Sequence, residues 1–164
     1  MSQRGIMQNT TQTTVNTSPV NSFPVAIVVG VFNQKITNAL QEGVVSQLLK
    51  RGLNKKDILV CEVPGAIEIP LIAKRLAMSG KVKSIITLGS VIRGDTSHYD
   101  LVCNMASQGC MQVSLEYNIP VIFGLLTTEN EEQAWDRLGG KHGHKGRELA
   151  DAAISMHQLL NQLP

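Results

Sequence analysis

Between Arg93 and His98 the chain reads Arg-Gly-Asp-Thr-Ser-His. A glycine followed by Asp95, Thr96 and Ser97 ahead of a helical pattern offers backbone N–H groups, hydroxyls and the positive end of a helix dipole to an anion, and a phosphate is the natural guest. The same residue types also cap helices, so the loop alone carries that second reading. His98 stands beside it, where an imidazole can move protons near neutral pH; a structural histidine is the alternative. Phe32 follows the first apolar run of the chain. It reads either as a platform on which a flat ring stacks or as core packing. Arg137, Lys141 and Lys145 surround a glycine-rich stretch and could add positive charge for a phosphate or stand as solvated surface charge. His142 and His144 are spaced i, i+2 and show no thiol or carboxylate partner in the local sequence, so a metal site is not expected.

The elements that must hold these residues follow from periodicity. Apolar runs at Val25–Val29, Ile58–Val63, Ser84–Ile92 and Pro120–Thr127 read as strands. Between and after them lie helical patterns: Ile36 to Leu49 stopped by Gly52, Ile67 to Met78 closed by Gly80, Asp100 to Tyr117, Glu131–Leu138, and a last helix to about Leu160. Gly139–Gly146 reads as a loop. Strands that alternate with helices and are apolar on both faces indicate an α/β three-layer sandwich, a four-stranded parallel sheet flanked by helices. Ligands of such sheets bind beyond the carboxyl ends of the strands, which points to Phe32-Asn33, Pro64–Glu68, Ser90–His98 and Thr127-Thr128.

Residues 1–22 are rich in Thr, Gln, Asn and Ser, carry one charge, Arg4, and lack periodicity. They read as a flexible tail ahead of a single domain over 23–164. Fifteen Lys+Arg against thirteen Asp+Glu leave a formal +2, with no basic run interleaved with aromatics, so a nucleic-acid partner is not expected. No apolar stretch approaches the ~20 residues of a membrane helix, and no basic segment leads into an apolar one at the start; a cytoplasmic protein without a membrane partner is expected. Cys61, Cys103 and Cys110 show no Cys-x-x-Cys spacing and are read as reduced, mostly buried thiols. Charged residues make up 17% of the chain, below the usual share of about 25%, which fits surface buried against other subunits.

Four segments in order carry a resemblance: Val63–Pro70, Gly89–Asp100, Pro120–Thr128 and Gly140–Gly146. They are similar to successive motifs of the lumazine synthase family, and the likeness runs from about Val25 to the end of the chain. The resemblance implies condensation of 5-amino-6-(D-ribitylamino)uracil with 3,4-dihydroxy-2-butanone 4-phosphate to 6,7-dimethyl-8-ribityllumazine, the penultimate step of riboflavin synthesis, with neither metal nor organic cofactor. By position it implies that Phe32 stacks on the pyrimidine and that Ala66, Ile67, Glu68, Ser90, Val91 and Ile92 line the ring and ribityl pocket. Asp95, Thr96 and Arg137 would hold the phosphate and His98 would transfer protons. Phe123, Arg137 and Lys145 would come from the adjacent subunit. Val31 stands where many members have arginine, and Ile67 where phenylalanine or tyrosine is frequent. The implied assembly is a homo-oligomer of pentamers; the short Gly139–Gly146 segment resembles that of members forming sixty-subunit shells. Two rival readings stand beside this one. The first is a shell protein of the same fold that binds a flavin-like ring with little turnover. The second is a phosphate-ester hydrolase, for which no nucleophile or carboxylate cluster is evident.

Overall fold

A strand sends alternate side chains to opposite faces, so an apolar run buried on both needs a cover on each side. In the computed structural model, which describes residues 19–164, the central strands meet that condition. The element order is β1 (Val25–Gly30), α1 (Gln34–Lys50), β2 (Ile58–Val63), α2 (Ile69–Ser79), β3 (Ser84–Ile92), α3 (His98–Tyr117), β4 (Val121–Thr128), α4 (Glu131–Asp136), β5 (Leu138–Gly140), β6 (Gly143–His144) and α5 (Lys145–Gln162). The four long strands form a parallel sheet in the order β2-β1-β3-β4. Val25 pairs with Ile58 on one side and Ser84 on the other, and Ile85 pairs with Val121.

Alternation along β1 divides the core. Val25, Ile27 and Val29 join Ile86 and Leu88 of β3 under Leu40, Val44 and Leu48 of α1 and Leu149, Ala153 and Ile154 of α5. Ala26 and Val28 face the other way with Ile85, against Ile69 and Ala73 of α2 and Ala106, Cys110 and Val113 of α3. The architecture is the expected α/β three-layer sandwich. Helix ends fall where glycine or asparagine can take the left-handed conformation, as at Gly80 (φ 66°) after α2 and Asn118 (φ 50°) after α3.

Four local expectations need correction. β2 is not covered on both faces: it lies at the sheet edge, where Leu59 and Val60 remain exposed while Val63 at its end is buried against α2. The third helix begins at His98 rather than Asp100, so the histidine belongs to its first turn. Gly139–Gly146 is no open loop; β5 and β6 pair as an antiparallel hairpin and α5 starts at Lys145. Only Cys110 is a buried thiol, its pKa pushed up to about 11 by burial, whereas Cys61 and Cys103 are half-buried.

Of the stretch read as a tail, residues 1–18 lie outside the described residues. Val20 N–H donates to Arg51 O (3.0 Å), and Ser22 Oγ donates to Asp57 Oδ2 (2.5 Å) while accepting from Asn54 N–H (2.7 Å). Phe23 then stacks on His157 of α5, with ring centroids 3.7 Å apart.

Candidate functional site

The chain leaves β1 through α1 toward β2 on one side, while β3 lies on the other. The loops after β1 and β3 therefore part and open a crevice at the carboxyl end of the sheet. Past β1 the ladder continues briefly: Val31 N–H donates to Val63 O (2.9 Å) and Phe32 N–H to Pro64 O (3.1 Å), which sets Phe32 beside Pro64–Glu68. Gly30 permits this approach, since a Cβ there would lie 3.2 Å from the Gly65 carbonyl carbon. Asn33 turns the chain into α1 in the left-handed conformation (φ 60°, ψ 48°), which asparagine tolerates better than most residues. Its Nδ2 donates to Ser90 O (2.9 Å), tying the β1 turn to β3 across the crevice.

The resulting cavity, about 440 Å³, is lined by Phe32, Ala66, Ile67, Glu68, Ser90, Val91, Ile92, Thr96 and His98, together with Tyr99, Val102 and several glycines. Asp95 adjoins it in the same loop. Phe32 is 72% exposed, so the core-packing reading does not hold. Ser90 is buried, and its Oγ has no hydrogen-bond partner among the described residues. A buried hydroxyl without a partner is unfavourable unless a ligand or water supplies one.

At the start of α3 the N-cap residue Ser97 makes no side-chain cap bond. Thr96 Oγ1 instead accepts from His98 N–H (3.3 Å), so the loop caps in part and presents His98 at the cavity wall. Arg93, at the start of this loop, is paired. It donates to Glu129 (2.8 Å) and to Asp100 (3.4 Å) and lies over the Tyr99 ring, 4.2 Å from its centroid. These contacts, the Asp100 hydrogen bond first, raise the guanidinium pKa and brace the helix turn that carries His98. Tyr99 is pushed up mainly by burial.

The remaining sequence-derived residues lie elsewhere. Arg137 and Lys145 line a second cavity of about 390 Å³ at the end of β4, with Gln133, Asp136 and His142. Phe123 stands half-exposed on β4, opposite Thr87. One chain therefore brings together His98, the Thr96 turn and the ring-pocket residues but leaves Phe123, Arg137 and Lys145 apart from them. Tyr99 and Val102 were missed as contributors, whereas Asn33 lay within a strand-end segment the sequence singled out. The i, i+4 spacing of His98 and Val102 in a helical pattern was the available signal for Val102. The expectation that His142 lacks a carboxylate is overturned: its Nδ1 lies 2.5 Å from Asp136 Oδ2. Among the described residues no three His, Cys, Asp or Glu side chains gather as a metal would require.

A parallel sheet with a small-molecule cleft at its switch point, walled by an aromatic ring, an unpartnered hydroxyl and a helix N-terminus, places the chain among α/β ligand-binding sandwiches. Comparison with known proteins narrows this. A sequence profile of the 6,7-dimethyl-8-ribityllumazine synthase family matches residues 22–161. Proteins of that name from Coxiella burnetii strains CbuG_Q212 and RSA 493 / Nine Mile phase I are each 50% identical over 143 residues, which span 87% of this chain and 95% of theirs. The relative from strain Dugway 5J108-111 matches to the same extent. The chain belongs to the 6,7-dimethyl-8-ribityllumazine synthase family.

Proposed function

We propose that this chain condenses 5-amino-6-(D-ribitylamino)uracil with 3,4-dihydroxy-2-butanone 4-phosphate to 6,7-dimethyl-8-ribityllumazine. The observation that carries the proposal is the cleft between β1 and β3, which sets an exposed aromatic face and an unpartnered serine hydroxyl beside His98 and the Thr96 turn. In this reading Phe32 stacks on the pyrimidine, and Ala66, Ile67, Glu68, Ser90, Val91 and Ile92 enclose the ring and ribityl chain. Ser90 Oγ gains from the substrate the partner it lacks. The amine attacks the ketone and water leaves to give the imine. A proton is lost from carbon as phosphate departs, and the ribitylamino nitrogen closes the ring with loss of a second water. His98 relays protons in these steps, and Asp95 and Thr96 with Arg137 hold the phosphate until it leaves. Much of the rate comes from holding two reactants together.

The two cavities lie in different parts of one chain, which supports a site completed by Phe123, Arg137 and Lys145 of an adjacent subunit. Further support comes from apolar side chains left exposed on the outer face of α2 and α3, among them Leu71, Leu101, Met105, Met111 and Leu115, and from the open edge strand β2. Such a surface favours association. The assembly we propose is built from pentamers; the short hairpin between α4 and α5 supports a sixty-subunit shell. No helix among the described residues is long and apolar enough to cross a membrane, and the proposed place of action is the cytoplasm. The test is to mix purified protein with both substrates and follow lumazine absorbance together with released phosphate. Stoichiometric appearance of both supports the assignment, and absence of product under conditions where an authentic relative is active overturns it.

A further inference from the structure

We propose that Asp136 and His142 form a positioning clasp that holds the β5–β6 hairpin in the one arrangement in which Arg137 and Lys145 face a phosphate together. The inference rests on the proposed function, in which Arg137 holds the phosphate of the butanone substrate, and it adds Lys145, which lines the same cavity as Arg137. Arg137 follows the last residue of α4 and Lys145 is the first of α5, so the hairpin is the only chain between them. Their backbones meet directly, with Lys145 N–H donating to Arg137 O (2.7 Å). The intervening segment contains Gly139 at φ 100° and Gly143 at φ 73°, and glycines give such a turn wide backbone freedom.

Two sets of contacts remove that freedom. At the tip, Asp136 Oδ1 accepts from Lys141 N–H (2.9 Å) and Oδ2 meets His142 Nδ1 (2.5 Å), so both oxygens reach across the hairpin. Gly140 makes room for the reach, since a Cβ there would lie 2.6 Å from Asp136 Oδ1. At the base, His144 Nδ1 accepts from Gly146 N–H (3.2 Å), and its ring fills the space over Gly43 of α1, where a Cβ would lie 2.1 Å from Cε1. Asp136 and His142 line the same cavity as Arg137 and Lys145. A bare carboxylate there would repel an anion; the His142 and Lys141 contacts engage both of its oxygens, and they hold its pKa below the usual carboxylate range.

The clasp is tested by varying each substrate in turn for the assembled wild type, His142→Ala, His142→Gln, Asp136→Asn and the Asp136→Asn/His142→Ala double variant. The His142 side chain is 54% exposed, so its truncation leaves the core intact, and thermal melts check this. In His142→Ala the KM for the butanone phosphate should rise about 3- to 30-fold while that for the pyrimidine stays within about 2-fold, because only the phosphate cations are displaced. His142→Gln, which retains a donor, should recover most of the loss, and the double variant should be no worse than the poorer single one. An unchanged phosphate KM in His142→Ala, equal rises for both substrates, or multiplicative effects in the double variant would overturn the clasp while wild-type turnover preserves the proposed function. A wild-type protein that forms no lumazine removes both.

Discussion

Mixing two inactive variants tests the shared site by arithmetic. In one chain His98 lines the cleft between β1 and β3, and Arg137 lines the separate cavity at the end of β4. If each working site takes His98 from one subunit and Arg137 from its neighbour, a site in a random mixture of His98→Ala and Arg137→Ala subunits is intact only when an Arg137→Ala chain supplies the histidine and a His98→Ala chain supplies the arginine. The intact fraction is the product of the two subunit fractions, so it peaks at about one quarter in an equal mixture. The parents set the background. Loss of a positioned proton-transfer group should slow His98→Ala by roughly 10- to 10⁴-fold. Loss of a charge-assisted phosphate contact of ~1.5–3 kcal/mol should raise the KM of Arg137→Ala for the butanone phosphate by roughly 10- to 150-fold. Below that KM, lumazine formation in co-refolded mixtures should trace an arch against composition, well above both parents at the midpoint. Native mass spectrometry of one mass-tagged parent confirms that subunits exchange. A straight line between the parents, despite verified mixing, would place both residues in one subunit's site and refute the reasoning.

Phe32→Ala should leave thermal stability within about 0.5 kcal/mol, because the ring is 72% exposed, yet weaken ribityl-pyrimidine analogues by roughly 1–3 kcal/mol in calorimetry; loss of stability without loss of affinity would contradict the stacking role. Ser90→Ala should not lower the melting temperature, since its Oγ has no partner among the described residues, while analogue affinity falls about 2- to 12-fold, the value of one neutral hydrogen bond; a stability loss with unchanged affinity would show that the hydroxyl is structural. His144 and His157 are both held below the ordinary histidine value of 6.5, chiefly by burial, so unfolding takes up protons and the stability present above that pH is lost as pH falls through it. Melts at about pH 7.5 and 5.5 should show the drop, and His157→Leu should shrink it; a melting temperature that rises toward acid would refute the assignment.

The strands were legible because each apolar run is bounded by punctuation the backbone obeys. Ile58–Val63 and Ser84–Ile92 begin and end where periodicity placed them. The residues that line the cleft were legible for the same reason, since a parallel sheet gathers the residues just past the carboxyl end of every strand. The features that could not be read depend on neighbours distant in sequence. The exposure of Leu59 and Val60 comes from β2 being an edge strand, a fact of strand order that composition does not carry. The pairing of Arg93 with Glu129 joins residues 36 apart in the chain. Asp136 stands six residues before His142, and only the hairpin folds them together.

The hydrogen bonds of Val20 and Ser22 to the region after α1, with the Phe23–His157 stack, place the start of the described chain next to the far end of α5. That is the pole where β1 begins, whereas both cavities open at the pole where the strands end. A reporter or affinity handle joined directly ahead of Val20 or after α5 therefore emerges away from both cavities. The proximity of Phe23 and His157 also makes the domain a good candidate for circular permutation: a short peptide can join a chain begun at Val20 to the end of α5, and new ends can be opened at an exposed turn such as Ser79–Lys81 without crossing either cavity.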